Sequence, residues 1–419
     1  MKVFKFGGAS VKDAAGVKNV ANVLGLYKGE PLMVIVSAMG KTTNALERLL
    51  DAYYHGKSDM NEIFGELKKY HTDIIEALYE NKSKRIYDEI ENIFIELECI
   101  LEKPSDNSYD FTYDQVVSFG EILSTKIISD YLNEEGYKNR WIDARNFIIT
   151  DSNYRNGKID WNNTYELINK KLKPIVNKQL VISQGFIGKS TINTTTTLGR
   201  EGSDYSAAIF AYCLEAQSMT IWKDVEGVMN ADPKRMPDAV KLDHLSYNQA
   251  IELAYYGATV IHPKTIQPLK NKGIPLHVKC FLDPNLVGTD IDPRDIADTA
   301  IPCFIFKDKQ ALISLSSKDF SFIIEDNLSY IFSQFAQQKL PINVMQNSAI
   351  SFSVDVNYDE DKIERLREIL SEDYNFELNT DVELITIHNP TENAIESVLK
   401  GKDVLLEQKM KNVIQFVVK

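Results

Sequence analysis

Short, mostly apolar runs and longer amphipathic stretches alternate along the chain as far as about residue 293. The runs at 3–6, 32–36, 180–183 and 219–222 have the length and composition of strands that are buried on both faces. The stretch from 45 to 103 carries apolar residues at helical spacing, with charged residues on the opposite face. Strand, polar loop and helix therefore repeat. This order predicts an α/β fold with a mainly parallel sheet sandwiched by helices, and a site at the carboxyl ends of the strands.

The middle of the chain gives further predictions for individual elements. The spacing predicts one helix over 111–135, one strand over 140–150 and one helix over 161–171 that is broken at Pro174. The threonines at 194–197 favour either a flexible lid or a hydroxyl-rich wall of a phosphate site.

The pattern changes beyond about Pro293, where glycines become rare. Strands and helices follow one another there as two successive strand–helix–strand–strand units, which predicts a small α+β module with no residues arranged for catalysis. A chain of 419 residues is too long for one typical core. We therefore expect one domain at 1–295, which carries the site, and a second domain at 296–419.

Composition narrows the class of protein. With 44% hydrophobic and 26% charged residues, the chain is typical of soluble globular proteins. The net charge of -13 argues against a nucleic-acid surface but leaves room for a local basic pocket. We expect no signal sequence, because Met1 to Phe6 is too short for a signal h-region, and no membrane span, because no apolar run approaches roughly 20 residues. We therefore expect a cytoplasmic protein with no membrane partner. The cysteines Cys99, Cys213, Cys280 and Cys303 form no C-x-x-C pair, which predicts buried free thiols rather than a metal site or disulfides.

The segment 195–212 carries the densest set of candidate site residues. Its hydroxyl-rich loop and glycines lead into an alanine-rich helix that starts near Ser203. A helix N-terminus offers unpaired N–H groups and the positive end of the helix dipole, so it suits an anion. Arg200 adds a guanidinium that suits a carboxylate or a phosphate. Taken alone, this segment favours a plain helix cap at Ser203 or Asp204 over a binding site.

A second glycine loop strengthens the case for a site. The first predicted strand contains Lys5 and runs into the small residues 7–10 before a helix. The spacing of this loop is not that of a Walker loop. Two glycine loops at strand ends, which together carry Lys5, Arg200 and Asp204, predict a site for a polyphosphate and an acidic substrate.

Two more segments carry candidate chemistry. Glu121 stands beside a glycine among apolar neighbours, so it is either a surface residue or a buried carboxylate that must meet a cation or a substrate ammonium. The turn-rich run 223–234 follows a buried strand, which is where a nucleotide rests in a doubly wound sheet. Asp232 and Lys234 are also compatible with a plain turn.

Together these motifs resemble the monofunctional aspartokinases of the amino-acid kinase superfamily, over essentially the whole chain. The matching segments are Lys5 to Gly8, Ser37 to Asn44, Phe119 to Glu121, Gln184 to Phe186, Thr195 to Asp204, Trp222 to Gly227, Asp232 with Pro233, Gly257 with Ala258, and His262 with Pro263. The resemblance implies that ATP phosphorylates the side-chain carboxylate of L-aspartate. The product would be 4-phospho-L-aspartate for lysine, threonine and methionine synthesis, with Mg2+ bridging the phosphates.

The resemblance also implies roles for individual residues. Lys5 would stabilise charge on the transferring phosphoryl group, and Asp204 would orient Lys5. Glu121 would take the substrate ammonium, and Arg200 would clamp the α-carboxylate. The remaining contacts would be Thr43 and Ser203 for the substrate, and Gly7, Gly8, Ser10, Lys223, Asp224, Met229, Lys234 and Thr259 for ATP, with no protein ligand for a metal.

Three positions depart from the family pattern. Ala9 replaces a Thr, Glu201 replaces a Gly, and Thr259 stands where some members have an ATP-contacting Lys. Glu201 would repel a phosphate unless its side chain points away.

The C-terminal module resembles paired ACT domains, which implies feedback inhibition by lysine or threonine and a homodimer or higher homo-oligomer. The segment 343–345 lacks the acidic residue that lysine-sensitive members carry after the valine.

Two other functions stay open at this point. Ala9 and Glu201 beside an ACT-like module suit a catalytically weak or silent amino-acid sensor. A related amino-acid kinase with another carboxylate substrate would keep the same fold. Glu121 and Arg200 favour aspartate over that second alternative.

Overall fold

The computed structural model describes residues 1–79, 84–102, 106–258, 261–294, 301–319 and 321–419. The chain divides into two compact units. The first comprises Met1–Val228, Lys241–Ile251 and Ile261–Ile296, and the second comprises Met229–Val240, Glu252–Val260 and Ala297–Lys419. Two short segments assigned by sequence to the domain at 1–295 thus fall in the second unit, and the boundary at 295 stays a prediction.

The chain upstream of residue 294 contains both strands and helices, as the sequence predicts, with a run of successive helices between residues 42 and 134. The strands are β1 (Lys2–Phe6), β2 (Leu32–Val36), β3 (Asn139–Ile142), β4 (Ile149–Thr150), β5 (Leu180–Gln184), β6 (Ile187–Ser190), β7 (Thr195–Thr197), β8 (Ser218–Lys223), β9 (Val228–Met229), β10 (Lys241–Leu242), β11 (His244–Ser246), β12 (Leu276–Cys280) and β13 (Thr289–Asp292). The helices are α1 (Ala14–Gly25), α2 (Thr42–Tyr54), α3 (Met60–Leu78), α4 (Lys84–Leu101), α5 (Tyr109–Val117), α6 (Phe119–Glu134), α7 (Trp161–Leu167), α8 (Lys173–Val176), α9 (Gly202–Leu214), α10 (Tyr247–Tyr256) and α11 (Pro263–Lys272).

A large, mainly parallel sheet forms the centre of the first unit and confirms the predicted α/β class. Within the described residues it has eight strands, in the order β11-β13-β12-β8-β1-β2-β5-β3. β1 pairs in parallel with both β2 and β8, so that Phe6 lies opposite Val36 on one side and Trp222 on the other. The carboxyl ends of these central strands therefore meet at one edge of the sheet, where the loops that follow them converge.

Apolar strands buried on both faces form the core of this sheet. Every residue of β2 is buried, as expected for a strand covered by helices on both sides. Trp222 is fully buried, and its ring stacks on Phe6 with centroids 6.2 Å apart and an interplanar angle of 9°. The Trp222 carbonyl accepts a hydrogen bond of 3.5 Å from Ser10 Oγ, which ties the loop after β1 to the end of β8.

The predicted helix over 111–135 is wrong as a single helix, because the chain breaks at Ser118 between α5 and α6. Ser118 Oγ bonds back to the Gln115 carbonyl at 3.1 Å, and this local bond competes with the helical ladder. The new direction brings Gly120 so close to the loop after β2 that an added Cβ would lie 3.0 Å from Ala38 Cβ.

The predicted strand over 140–150 is also wrong, because it covers two short strands and a 3-10 turn. Asp143 accepts a hydrogen bond of 2.9 Å from the Arg145 N–H and thereby caps the turn Ala144–Asn146. The predicted break at Pro174 does not occur either. A π-helical turn over Ile168–Leu172 leads into α8, where Pro174 stands in the first turn and needs no N–H donor.

The second unit is an α+β module, as the sequence predicts. Its strands are β14 (Cys303–Ser317), β15 (Ile342–Asn347), β16 (Ser351–Asn357), β17 (Tyr374–His388), β18 (Val404–Lys409) and β19 (Val413–Val418), and its helices are α12 (Glu325–Gln337), α13 (Glu360–Leu370) and α14 (Glu392–Leu399). The described residues form a six-stranded antiparallel sheet in the order β15-β16-β14-β17-β19-β18. Apolar residues of α12 and α13, such as Phe335 and Leu366, pack with β14 and β16 into one core.

The four cysteines are free, and three of them are buried. Cys213, Cys280 and Cys303 are buried free thiols, as predicted, but Cys99 is exposed on α4, so the prediction was wrong for that residue. Among the described residues, no helix combines the length and the apolar character that a membrane crossing requires.

Candidate active site

A cavity of about 580 Å³ opens at the carboxyl edge of the large sheet in the first unit. β1 contributes Lys5, the loop after β2 contributes Ser37 and Ala38, and the end of β8 contributes Lys223. The N-terminus of α9 closes another part of the wall with Ser203 and Asp204. Residues that lie far apart in the sequence thus line one space.

Lys5 and Asp204 form a buried ion pair at the floor of the cavity. Lys5 Nζ lies 2.6 Å from Asp204 Oδ1, and the two side chains are 10% and 6% exposed. The helix dipole of α9 favours the carboxylate, since Asp204 stands in its first turn. The lysine cation is therefore held in place before any ligand binds.

Glu121 has a buried carboxyl group that forms no ion pair with the side chains the structure describes. It stands in the first turn of α6 and is 3% exposed, and its Oε1 accepts a hydrogen bond of 3.4 Å from the Ala38 N–H. Its Oε2 is buried and meets no hydrogen-bond partner among the described residues. Burial raises the pKa of Glu121 to about 8, and the Ala38 N–H and the charge of Lys5 offset this only in part. A cation supplied by a ligand would therefore stabilise the ionised form of Glu121.

Two glycines allow backbone segments to meet at the cavity. An added Cβ on Gly8 would lie 2.5 Å from the Ala38 carbonyl oxygen, so the loops after β1 and β2 pass each other without room for a side chain. An added Cβ on Gly185 would lie 2.5 Å from Ser203 Cβ, where the start of α9 passes the residue that follows β5. These approaches place the first turn of α9 over the sheet edge, with backbone N–H groups suited to an anion.

Arg200 and Glu201 lie side by side on the rim. Arg200 is exposed and lines the cavity. Glu201 also lines the cavity, and it takes up a left-handed conformation with φ of 52°. Its Oε2 accepts a hydrogen bond of 2.9 Å from the His262 N–H, so the carboxylate is anchored at the start of α11.

The structure brings together some of the sequence-predicted residues and not others. Lys5, Gly8, Thr43, Glu121, Arg200, Ser203, Asp204 and Lys223 all line the cavity. Gly7, Ser10 and Asp224 belong to adjoining loops and are not among its lining residues. Met229 and Lys234 fall in the second compact unit. Thr259 lies outside the described residues.

Sequence reasoning gave no site role to several lining residues, notably Tyr113, Arg155 and Phe186, and it offered Thr197 only within a run that suited either a lid or a wall of the site. Thr197 belongs to the threonine run, which forms the buried strand β7 rather than a flexible lid. Tyr113 lies in the apolar pattern of α5, and this pattern does not distinguish it from a residue of the core. Arg155 falls in a polar turn, and no periodic pattern marks it as a site residue.

Protein side chains do not by themselves make a metal centre in the described part of the chain. No group of three or more His, Cys, Asp or Glu side chains there is arranged to hold an ion. Mg2+ commonly keeps several waters and is held by substrate phosphates with one or two carboxylates. The cavity thus suits a metal that arrives with a nucleotide, with Asp204 as the nearest carboxylate to the Lys5 cation.

The fold and the site together define the class of protein. The first unit has the architecture of a small-molecule kinase, and the model of the amino acid kinase family matches residues 1–280. Aspartokinase 1, chloroplastic, of Arabidopsis thaliana is 32% identical over 363 residues, which cover 84% of this chain and 62% of that protein. Lysine-sensitive aspartokinase 3 of Escherichia coli (strain K12) is 30% identical over 353 residues, which cover 84% of this chain and 77% of that protein.

Solved structures agree with these relatives. Escherichia coli aspartokinase III matches at 26% identity, with TM-scores of 0.84 for its complex with lysine and aspartate and 0.83 for its complex with aspartate and ADP. Both matches cover 100% of this chain and 96% of the other. The chain therefore belongs to the amino acid kinase family and, within it, to the aspartokinases.

Proposed function

We propose that this protein is an aspartate kinase, which transfers the γ-phosphoryl group of ATP to the side-chain carboxylate of L-aspartate. The observation that carries the proposal is the buried Oε2 of Glu121, which has no partner among the described residues in a cavity that also holds Lys5 and Arg200. The relative from Escherichia coli, solved with aspartate and ADP, supports the same substrates. The product, 4-phospho-L-aspartate, serves amino-acid biosynthesis.

The charges of the cavity match those of aspartate. The substrate ammonium pairs with Glu121 and compensates for the burial of that carboxylate, which otherwise costs folding free energy. The α-carboxylate pairs with Arg200, whose guanidinium can bind both oxygens. Thr43 and Ser203 line the same cavity and supply hydroxyls for the remaining polar atoms.

The transfer itself needs positioning and charge neutralisation rather than a nucleophilic side chain. An oxygen of the aspartate side chain attacks the γ-phosphorus, and the bond from that phosphorus to the bridging oxygen of ADP breaks. The attacking carboxylate is already ionised at neutral pH, so no general base is required. Lys5, held by Asp204 at 2.6 Å, stabilises the negative charge on the transferring group.

ATP in this scheme carries Mg2+, which would neutralise charge on the phosphates when bound. The residues that would contact the nucleotide are those of the glycine loops and of the end of β8. Of these, Gly8 and Lys223 line the cavity. Gly7, Ser10, Asp224, Met229, Lys234 and Thr259 remain proposed contacts on the basis of the family resemblance.

The second unit is proposed as an ACT-type module that binds lysine or threonine as a feedback inhibitor. The lysine-sensitive relative, which has been solved with lysine, supports this assignment. We also propose a homodimer or higher homo-oligomer in the cytoplasm, with no nucleic-acid or membrane partner. Met345, 47% exposed on β15, stands in place of the acidic residue of lysine-sensitive members.

An ADP-release assay with hydroxylamine trapping tests the function. Wild-type protein should release ADP only when aspartate is present, and the acyl phosphate should be recovered as the hydroxamate. N-Acetyl-L-aspartate has both carboxylates but no ammonium for Glu121, so it should be a poor substrate at equal concentration. Equal turnover of both compounds, or of glutamate, would contradict the proposed substrate. Repeating the assay with lysine and with threonine identifies the effector, and size-exclusion chromatography with light scattering reports the assembly.

A further inference from the structure

Arg155 lies on the wall of the cavity in an unusual backbone conformation. It belongs to the exposed turn between β4 and α7, and its φ of 63° is in the left-handed region. Residues with a side chain adopt this conformation much less readily than glycine does. Such a conformation persists only where surrounding contacts hold it, and these contacts are present here.

A buried carboxylate anchors the turn. Both oxygens of Asp114, which is fully buried on α5, accept the Arg155 N–H, at 3.1 and 3.0 Å. The same carboxylate accepts the Thr197 N–H at 2.9 Å and the Thr197 hydroxyl at 2.7 Å. One side chain thus fixes Arg155 relative to β7, whose last residue also lines the cavity.

The turn lies next to Arg200. An added Cβ on Gly199 would lie 3.2 Å from the Arg155 carbonyl oxygen, so the turn packs directly against the residue that precedes Arg200. The Arg155 guanidinium carbon lies 4.4 Å from the centre of the Tyr113 ring. Tyr113 in turn donates a hydrogen bond of 2.7 Å to Glu47, on the helix that carries Thr43.

We propose that Arg155 supplies a second guanidinium for the amino-acid substrate and binds its α-carboxylate together with Arg200. This inference rests on the proposed function. Arg155 now forms an ion pair of 3.3 Å with Asp110, but both side chains are about half exposed, at 47% and 58%. An exposed pair of this kind is weak. A substrate carboxylate can therefore displace it, while the Tyr113 ring keeps the guanidinium at the cavity wall.

Steady-state kinetics of three variants test this role. Arg155→Gly removes the guanidinium and suits the left-handed backbone, so the turn should keep its fold. It should raise the KM for aspartate by about tenfold and leave kcat and the KM for ATP within about twofold. Arg155→Lys should recover part of the loss, because it keeps the charge but not the fork of donors. Lys158→Ala removes a positive charge from the same turn outside the cavity lining, so it should change neither KM.

The outcomes separate this inference from the proposed function. Active wild-type enzyme whose KM for aspartate is unchanged in Arg155→Gly would overturn the role of Arg155 alone. A rise in the KM for ATP instead would place the guanidinium on the nucleotide and also overturn it. Wild-type protein that neither binds aspartate in calorimetry nor phosphorylates it would overturn both.

Discussion

Lys5 Nζ lies 2.6 Å from Asp204 Oδ1, at the meeting point of the first strand and the N-terminus of α9. The Asp204 carboxylate holds the Lys5 ammonium in place, and the N-terminus of α9 adds the positive end of its dipole. The site is therefore arranged to receive negative charge before ATP arrives. Such preorganisation lowers the cost of stabilising charge as the phosphoryl group transfers.

Replacing Lys5 should abolish turnover. In Lys5→Ala, kcat should fall by about 10³-fold or more, because no other residue of β1 lines the cavity to stabilise the transferring group. The hydroxamate assay measures this loss. Lys2→Ala is the matched control, since Lys2 lies on the same strand and pairs with Glu30 at 2.6 Å on the partly exposed side. Kinetics of Lys5→Ala close to those of Lys2→Ala would contradict the assignment of Lys5.

Glu121 should lower the free energy of unfolding at alkaline pH and strengthen the binding of aspartate. Burial raises its pKa to about 8 from the usual 4.5, so between these values the folded protein keeps a proton that the unfolded chain has released. The free energy of unfolding must then fall as pH rises through this interval. Glu121→Gln does not titrate, so relative to wild type it should gain about 3–5 kcal/mol between pH 5 and pH 8.5.

Urea unfolding at the two pH values measures this gain, with Glu96→Gln on the exposed face of α4 as the control. The same Glu121→Gln protein should bind aspartate about 30- to 100-fold more weakly, because the ammonium loses its ionised partner. A variant that is destabilised equally at both pH values would show that Glu121 is ionised in the free protein.

Gly8 should not tolerate a side chain. The added Cβ of Gly8→Ala would lie 2.5 Å from the Ala38 carbonyl oxygen and 3.2 Å from that of Gly40, and both atoms belong to backbone. The loops after β1 and β2 must separate, at a cost of about 1–3 kcal/mol. The temperature of thermal unfolding should fall, and the KM for ATP should rise. Gly65→Ala on the exposed face of α3 meets nothing within 4 Å and should stabilise the protein by about 0.5–1 kcal/mol.

Glu201 should weaken anion binding slightly. Its anchoring to the His262 N–H at 2.9 Å keeps the carboxylate on the rim rather than in the centre of the cavity. Glu201→Gln can keep this hydrogen bond without the charge, so the KM for ATP should fall by about two- to fivefold at low salt. Because salt screens exposed charges, the difference should shrink at high ionic strength. A difference that does not depend on salt would point to a steric effect instead.

The sequence predicts the fold and the charged centre of the site because both depend on strong local patterns. Lys5 and Asp204 each belong to a glycine loop at a strand end, and parallel strands bring such loops to one edge. Glu121 could not be placed by pattern alone, since a buried and an exposed carboxylate have the same sequence surroundings. Its burial follows from the tertiary contact of Gly120 with Ala38.

Other features depend on contacts that no periodic pattern contains. Arg155 keeps its left-handed backbone because of Asp114, which lies on a different element. The break at Ser118 comes from one side-chain bond to the Gln115 carbonyl, while both flanking segments have helical spacing. The buried strand β7 could not be told from a lid, because a threonine run suits either a sheet or a loop.

The buried indole of Trp222 gives this enzyme an internal optical probe. It is fully enclosed and adjoins Lys223 on the cavity wall, and its backbone holds the loop of Ser10. Trp141 and Trp161, the other two tryptophans, are partly solvated. Emission at the blue end of the fluorescence spectrum should therefore come from Trp222, and titration with nucleotide can be followed without attaching a dye.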